Sequence, residues 1–288
     1  MDTLKLEETF IKTNGIKLHT VMAGPQSGSP VVLLHGFPET WRCWIKQLPA
    51  LAAAGCRVIV PDQRGYNLSD KPKGIENYRM EELTRDILGL IDALEYEKVN
   101  LVGHDFGALV AWLLATKHPE RLHRLGIINV PHPAVMWRFL RRDFEQMRRS
   151  LYALFFQLPW LPEMAMSVGD WRAAALSLRR SGKPHAFTEE DIETYRAAWS
   201  QPGAMTAMLN WYRAAARYRP ALTNDMRVSV RTLILWGVQD FALSRRMARP
   251  SLDHCDDGNL IFFPDATHWV QREEADEVNR HLLGMVFT

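Results

Sequence analysis

Gly103-His104-Asp105-Phe106-Gly107 is the stretch on which the fold turns. It follows the apolar run Val99-Asn100-Leu101-Val102 and opens the segment Ala108 to Lys117, whose apolar residues recur at the three-to-four spacing of a helix. A strand, a glycine-flanked corner and a helix make the setting of a nucleophile elbow, a sharp turn that lifts one side chain above the edge of a sheet. Glycine is needed on both flanks because the turn brings backbone and neighbouring elements too close for a Cβ. The raised position usually carries Ser for acyl transfer; here it carries Asp105. Taken alone, the pentapeptide reads equally well as a glycine turn with an Asp capping a helix start.

Outward from the elbow, the chain repeats one rhythm. Val31-Val32-Leu33-Leu34 ends at His35-Gly36, Arg57-Val58-Ile59-Val60 at Pro61-Asp62, and Leu125-Gly126-Ile127-Ile128-Asn129-Val130 at Pro131. Thr232-Leu233-Ile234-Leu235-Trp236 and Asn259-Leu260-Ile261-Phe262-Phe263 resume it late in the chain. Such runs are apolar without alternation, as strands buried on both faces of a parallel sheet must be. Met80 to Leu94 carries helical periodicity between two of them, so the expected core is α/β with a mostly parallel sheet flanked by helices. The segment from Ala134 to Ala221 breaks the rhythm: it holds no strand-like run and is rich in Arg, Ala, Trp, Tyr and Phe. We read it as a helical lid, or cap, over the carboxyl ends of the strands, where open α/β sheets bind ligands. The expected organisation is therefore core 1–133, cap 134–221 and core 222–288.

A chain of 288 residues suits a core of roughly 200 to 250 residues with such an insertion. Hydrophobic residues at 47% and charged ones at 24% exclude a disordered chain. Thirty-five Lys and Arg against 33 Asp and Glu leave +2, too small an excess to offer nucleic acid or anionic lipid a general field. Arg138, Arg141, Arg142, Arg148 and Arg149 make the one local asymmetry; because Asp143 and Glu145 interrupt it, it reads as a solvated lid face rather than a membrane or nucleic-acid patch. The start, Met1 to Glu8, is acidic where a signal peptide is basic and then apolar, and no uncharged apolar stretch approaches the ~20 residues that span a bilayer. Cys43, Cys56 and Cys255 include no CxxC pair and suggest neither a disulfide framework nor a zinc site. A cytoplasmic protein without metal or cofactor is expected; oligomeric state is unreadable, and a homodimer stays open.

Two further stations weigh on the elbow. Leu235-Trp236-Gly237-Val238-Gln239-Asp240 sets a carboxylate just past one late strand, and Asp265-Ala266-Thr267-His268-Trp269 sets a His past the last. Nucleophile, acid, His is the chain order of α/β-hydrolases. Singly, Asp240 reads as a turn residue and His268 as a loop His; all three at strand ends, in that order, make a triad. His35-Gly36-Phe37-Pro38 follows an early strand where an oxyanion loop belongs, so the Phe37 and Phe106 N–H groups can converge on one oxygen.

With these motifs the chain resembles the α/β-hydrolase-fold epoxide hydrolases over nearly its whole length. The resemblance is carried by His35-Gly36-Phe37-Pro38, Asp62-Gln63-Arg64-Gly65-Tyr66, the Asp105 elbow, Asp240 and His268. Ser150-Leu151-Tyr152-Ala153-Leu154-Phe155-Phe156-Gln157 and Leu209-Asn210-Trp211-Tyr212-Arg213 resemble the two lid segments that present epoxide-binding tyrosines in that family. The resemblance implies that Asp105 forms an ester with an epoxide carbon while Tyr152 and Tyr212 protonate the leaving oxygen. His268, oriented by Asp240, would then activate the water that hydrolyses the ester. The expected substrate pocket includes His35, Pro38, Phe155, Phe156 and Trp160, and the expected partners are a small apolar epoxide and water.

Two relatives of the same fold also use an elbow Asp. Haloalkane dehalogenases place a Trp beside it to hold the halide, where this chain has Phe106, and fluoroacetate dehalogenases place arginines after it, where this chain has Phe106-Gly107-Ala108-Leu109. Epoxide hydrolases also often carry Trp there, but only the backbone N–H is asked to act. A non-catalytic homologue would most naturally lack one of the five side chains, and none is missing. An esterase or perhydrolase would want Ser at the elbow.

Overall fold

The computed structural model describes residues 4–218 and 226–287. The expected core boundary at 221/222 and the first three residues of the acidic start lie outside them. The apolar runs form the strands β3 (Ser29–Leu34), β4 (Cys56–Pro61), β5 (Val99–His104), β6 (Leu122–Ile128), β7 (Thr232–Gly237) and β8 (Gly258–Phe263), preceded by β1 (Glu7–Thr13) and β2 (Ile16–Ala23). They make one sheet in the order β1-β2-β4-β3-β5-β6-β7-β8. From β4 to β8 every neighbouring pair is parallel; β1 and β2 add an antiparallel edge.

That edge is a hairpin whose turn is Asn14-Gly15, with φ of 43° and 76°. Both are left-handed, as a two-residue type I′ turn demands, and Asn-Gly is the pair that tolerates it best. The apolar-run criterion overlooks β1 because most of its side chains face solvent.

Two cores cover the faces of the sheet. On one face the helices Met80–Ala93 and Phe106–Lys117 pack with the inserted helices; on the other Gln47–Ala53 and Ala275–Phe287 bury Leu48, Leu51, Val278 and Leu282. The elbow helix Phe106–Lys117 has no polar face because it is enclosed nearly all round. Its Trp112 is fully buried and donates from Nε1 to Val130 O at 3.2 Å. Truncation of such a side chain to Ala costs about 3 to 5 kcal/mol.

β3 lies between β4 and β5, so the chain leaves it in one direction and returns on its other side. At such a switch point a crevice opens beyond the carboxyl ends of the strands, here between His35-Gly36-Phe37 and His104-Asp105. Between β6 and β7 the chain runs through the helices Pro133–Arg142, Phe144–Arg149, Leu151–Phe155, Leu161–Ser181, Glu189–Trp199 and Ala204–Arg217, with no strand among the described residues of this stretch. Leu161–Ser181 is interrupted at Val168–Trp171 by non-helical backbone.

Buried hydrogen bonds stitch these inserted helices to the core. Tyr195 donates its hydroxyl to Glu39 at 2.7 Å, Trp199 its Nε1–H to Pro38 O at 2.7 Å, and Trp211 its Nε1–H to Arg64 O at 2.9 Å. Glu39 also accepts from Arg272 Nε at 2.8 Å. No helix among the described residues is long and apolar enough to cross a membrane.

Candidate active site

The elbow is built as its sequence demands. Asp105 has φ 51° and ψ −126°, a backbone conformation that an L-residue adopts only under constraint. A Cβ on Gly103 would lie 2.4 Å from Gly107 O, one on Gly107 2.3 Å from Leu34 O, and one on Gly36 2.2 Å from Asp105 Cβ. Three glycines thus let β3, β5 and the elbow helix close around the aspartate. The result is a carboxylate only 15% exposed, raised at the end of β5.

The loop after β3 meets it. Phe37 N–H donates to Asp105 Oδ1 at 2.8 Å. Phe106 opens the elbow helix, so its N–H is among the helix-start donors without an intrahelical acceptor. The Phe37-Pro38 peptide is cis. His35 does not face a cavity: it is fully buried, its Nε2 accepts from Gln63 N–H at 3.0 Å, and its ring packs edge-on against Tyr66 at 4.7 Å. Pro38 is buried too, its carbonyl held by Trp199. The Asp62–Tyr66 motif is the loop's scaffold: Asp62 accepts from Trp41 N–H at 2.9 Å, and Arg64 pairs with Asp86 at 2.6 Å in the interior.

His268 reaches the nucleophile from the loop after β8. That loop lies against the end of β7 because Gly237 has no Cβ; one there would fall 1.9 Å from Thr267 O. His268 Nε2 stands 3.5 Å from Asp105 Oδ2, and His268 Nδ1 is 2.7 Å from Asp240 Oδ2. Asp240 Oδ1 accepts from Ala242 N–H at 2.7 Å and Leu243 N–H at 2.9 Å. Burial would lower the pKa of His268, but Asp240, with help from Asp105, raises it to about 10. At neutral pH the ring is therefore an imidazolium between two carboxylates. Burial pushes the Asp105 carboxyl up, yet its hydrogen bond and charge interaction with His268 outweigh this and hold it below the ordinary value. Burial and repulsion from His268 take the neighbouring His104 down to about 3, so that ring stays neutral.

Tyr152 and Tyr212 approach from the inserted helices. Tyr212 meets Phe106 at 4.6 Å and Phe37 at 5.2 Å between ring centroids, both edge to face, so it stands over the two residues whose N–H groups flank Asp105. Tyr152 lies 6.0 Å from Tyr212 by ring centroid. Burial first, and then the negative charge of Asp105 among other groups, raises both phenols above their ordinary pKa. Both stay protonated at neutral pH. Tyr152 is nevertheless 37% exposed, so one edge of the site is open.

A cavity of about 590 Å³ adjoins this cluster, with Tyr212 common to both. Its wall is almost wholly apolar and includes Leu109, Pro133, Met136, Met147 and Leu151. The expected aromatic lining is placed elsewhere. Phe156 is buried against Phe37 and Tyr212, Phe155 is half-exposed beside Phe156, and Trp160 is 65% exposed at a helix start. Composition marks the segment as aromatic but not which side of each short helix looks inward, and methionines and leucines take that side.

Sequence reasoning also missed Asn129. At the end of β6 it donates from Nδ2 to Asp240 Oδ2 at 2.6 Å, and its Oδ1 accepts from Gly237 N–H at 2.7 Å. The one signal in the sequence is a polar residue closing an otherwise apolar run; in the structure its φ is 56°, a region that Asn tolerates. No His, Cys, Asp and Glu grouping able to hold a metal ion occurs among the described residues.

Known proteins are similar to this chain in sequence and in fold. The family profile of the alpha/beta hydrolase fold matches residues 29–275. An AB hydrolase superfamily protein, YfhM, of Bacillus subtilis (strain 168) is 45% identical over 283 residues, covering 98% of each chain. Epoxide hydrolase 4 of Homo sapiens is 37% identical over 276 residues, covering 94% of this chain and 75% of that protein. The crystal structure of a Bacillus megaterium epoxide hydrolase in complex with an inhibitor superposes with a TM-score of 0.89 at 27% identity, covering 97% of this chain and 100% of that one. With its eight-stranded sheet, its aspartate elbow and these relatives, the chain belongs to the alpha/beta-hydrolase-fold family and groups with the epoxide hydrolases within it.

Proposed function

We propose that the protein is an epoxide hydrolase that converts an epoxide and water to a vicinal diol through an ester on Asp105. One observation carries the reading: an ionised carboxylate, two protonated phenols and a His–Asp pair converge on one partly open space. Asp105 Oδ1 is engaged by Phe37 N–H, which leaves Oδ2 to attack an oxirane carbon. The C–O bond breaks, and the departing oxygen takes a proton from Tyr152 or Tyr212. Residues 134–221 then act as the cap that brings these phenols to the nucleophile from the side opposite the sheet.

Ester formation removes one of the two negative charges that hold the proton on His268. The imidazolium gives up that proton, which restores the tyrosine through solvent, and becomes a base. It then takes a proton from water, whose oxygen attacks Asp105 Cγ. Negative charge gathers on Oδ1, which already accepts from Phe37 N–H and to which the Phe106 N–H would also donate. Collapse expels the diol oxygen, which takes the new carboxyl proton, and Asp105 and imidazolium are restored. Asp240, fixed by Asn129, keeps the ring oriented. Phe106 offers no side-chain donor to a halide, and its ring is occupied against Tyr212.

A single turnover of styrene oxide in oxygen-18 water tests the route. Label should appear in the Asp105 carboxylate and not in the first diol released. Label in the first diol would refute the ester.

A further inference from the structure

Eleven of the seventeen large apolar side chains that stand exposed among the described residues lie between positions 144 and 168. Phe144 is 81% and Leu154 66% exposed. Met147, Leu151 and Leu154 face solvent and also line the 590 Å³ cavity, so the apolar patch runs into the mouth of that cavity.

Exposed arginines flank this patch in the chain. Asp143 and Glu145 interrupt the basic run but neutralise only one of its members, Arg149. Asp143 pairs with Arg246 at 2.7 Å and caps the helix Phe144–Arg149 through Gln146 N–H, while Glu145 pairs with Arg149 at 2.7 Å. Arg141, Arg142 and Arg148 are exposed and make no ion pair among the described residues. Arg138 is exposed as well, its guanidinium near the ring of Phe139 at 5.9 Å.

We propose that this face docks on an anionic lipid surface, with the side chains around Phe144, Leu151 and Leu154 entering the headgroup region and the arginines meeting lipid phosphates. Apolar side chains beside uncompensated cations are what a segment lying in a bilayer interface presents. A second copy of the chain suits the face poorly: a two-fold interface must be complementary to itself, and the acids Asp143 and Glu145 within this patch are already paired. Docked in this way, the cavity mouth opens onto the layer in which apolar epoxides dissolve. That consequence rests on the hydrolase reading; the docking does not.

The test is co-sedimentation with vesicles of phosphatidylcholine alone and of phosphatidylcholine with phosphatidylglycerol. The protein should pellet with the anionic vesicles, and less so as salt rises. The triple variant Arg141→Glu, Arg142→Glu, Arg148→Glu should bind them roughly 100-fold more weakly. Phe144→Asp should bind roughly tenfold more weakly. Both should turn over dissolved styrene oxide as the unaltered protein does, which shows that they fold. Absence of vesicle binding, or equal binding by the triple variant, would overturn the proposal. So would a dimer in sedimentation velocity that the same variants abolish, which would assign the patch to a second copy. Vesicle binding by a protein that hydrolyses no epoxide would leave the docking standing and remove only the hydrolase reading.

Discussion

Asp105→Asn imitates, in charge, the esterified enzyme, and its effect on His268 can be worked from the structure. The imidazolium is held at a pKa of about 10 by Asp240 at 2.7 Å and Asp105 at 3.5 Å against the cost of burial. At 3.5 Å and an effective dielectric constant of 20, the attraction between unit charges is about 5 kcal/mol, equivalent to about 3.5 in pKa. Removing the Asp105 charge should therefore bring His268 down to roughly 6.5, where water activation at neutral pH becomes possible. The measurement is an NMR titration of the His268 ring in both proteins, made with selective isotope labelling because ten histidines are present. Retention of a value near 10 in Asp105→Asn would mean that Asp240 alone fixes the proton. His268 could not then become a base on ester formation, and the proposed second half-reaction would fail.

Three other outcomes are expected. Tyr152→Phe and Tyr212→Phe should each slow ester formation by about tenfold and the double change by about a thousandfold or more, as rapid-quench kinetics can show; equal rates would mean that the rings only pack. Asn129→Ala removes the donor to Asp240 and the acceptor for Gly237 N–H, and should destabilise the protein by about 2 kcal/mol in chemical denaturation. It should also slow ester hydrolysis more than ester formation, and an unchanged ratio of the two rates would remove Asn129 from the positioning of the acid. Gly107→Ala forces a Cβ to 2.3 Å from Leu34 O and should cost about 3 kcal/mol or more. Gly284→Ala, in a helix where an added Cβ would meet no atom within 4 Å, should instead stabilise by about 0.5 to 1 kcal/mol, and thermal unfolding separates the two.

The parallel part of the sheet is legible because its strands are buried on both faces, so each appears as an unbroken apolar run whatever its neighbours are. β1 escapes that criterion, since one wet face leaves it no such run, and only the Asn14-Gly15 turn announces the hairpin. The placement of Asp105, Asp240 and His268 is legible for a related reason: strand ends are fixed points in the chain, and three reactive residue types occupy three of them. What cannot be read is whatever depends on the rotation of a short helix. Leu151–Phe155 spans little more than one turn, so nothing in its pattern says that Leu151 rather than Phe155 meets the cavity. Asn129 is hidden differently, because its use depends on a loop more than a hundred positions later returning to the same strand end.

The anchoring of the inserted helices restricts how molecules pass in and out. Trp199 and Trp211 are each fastened by an indole N–H to a core carbonyl, and Tyr195 by its hydroxyl to the buried Glu39. Swinging the whole block away would strand these donors and acceptors at about 1 to 3 kcal/mol apiece, too much to repeat in every catalytic cycle. The helix Phe144–Arg149 is fastened too, by Gln146 to Ala242 O at 2.8 Å and to Ser244 N–H at 3.0 Å, whereas Leu151 and Leu154 of Leu151–Phe155 already stand half in water. Traffic should thus run through a side door at the short helix Leu151–Phe155, which moves by local breathing while the roof stays shut.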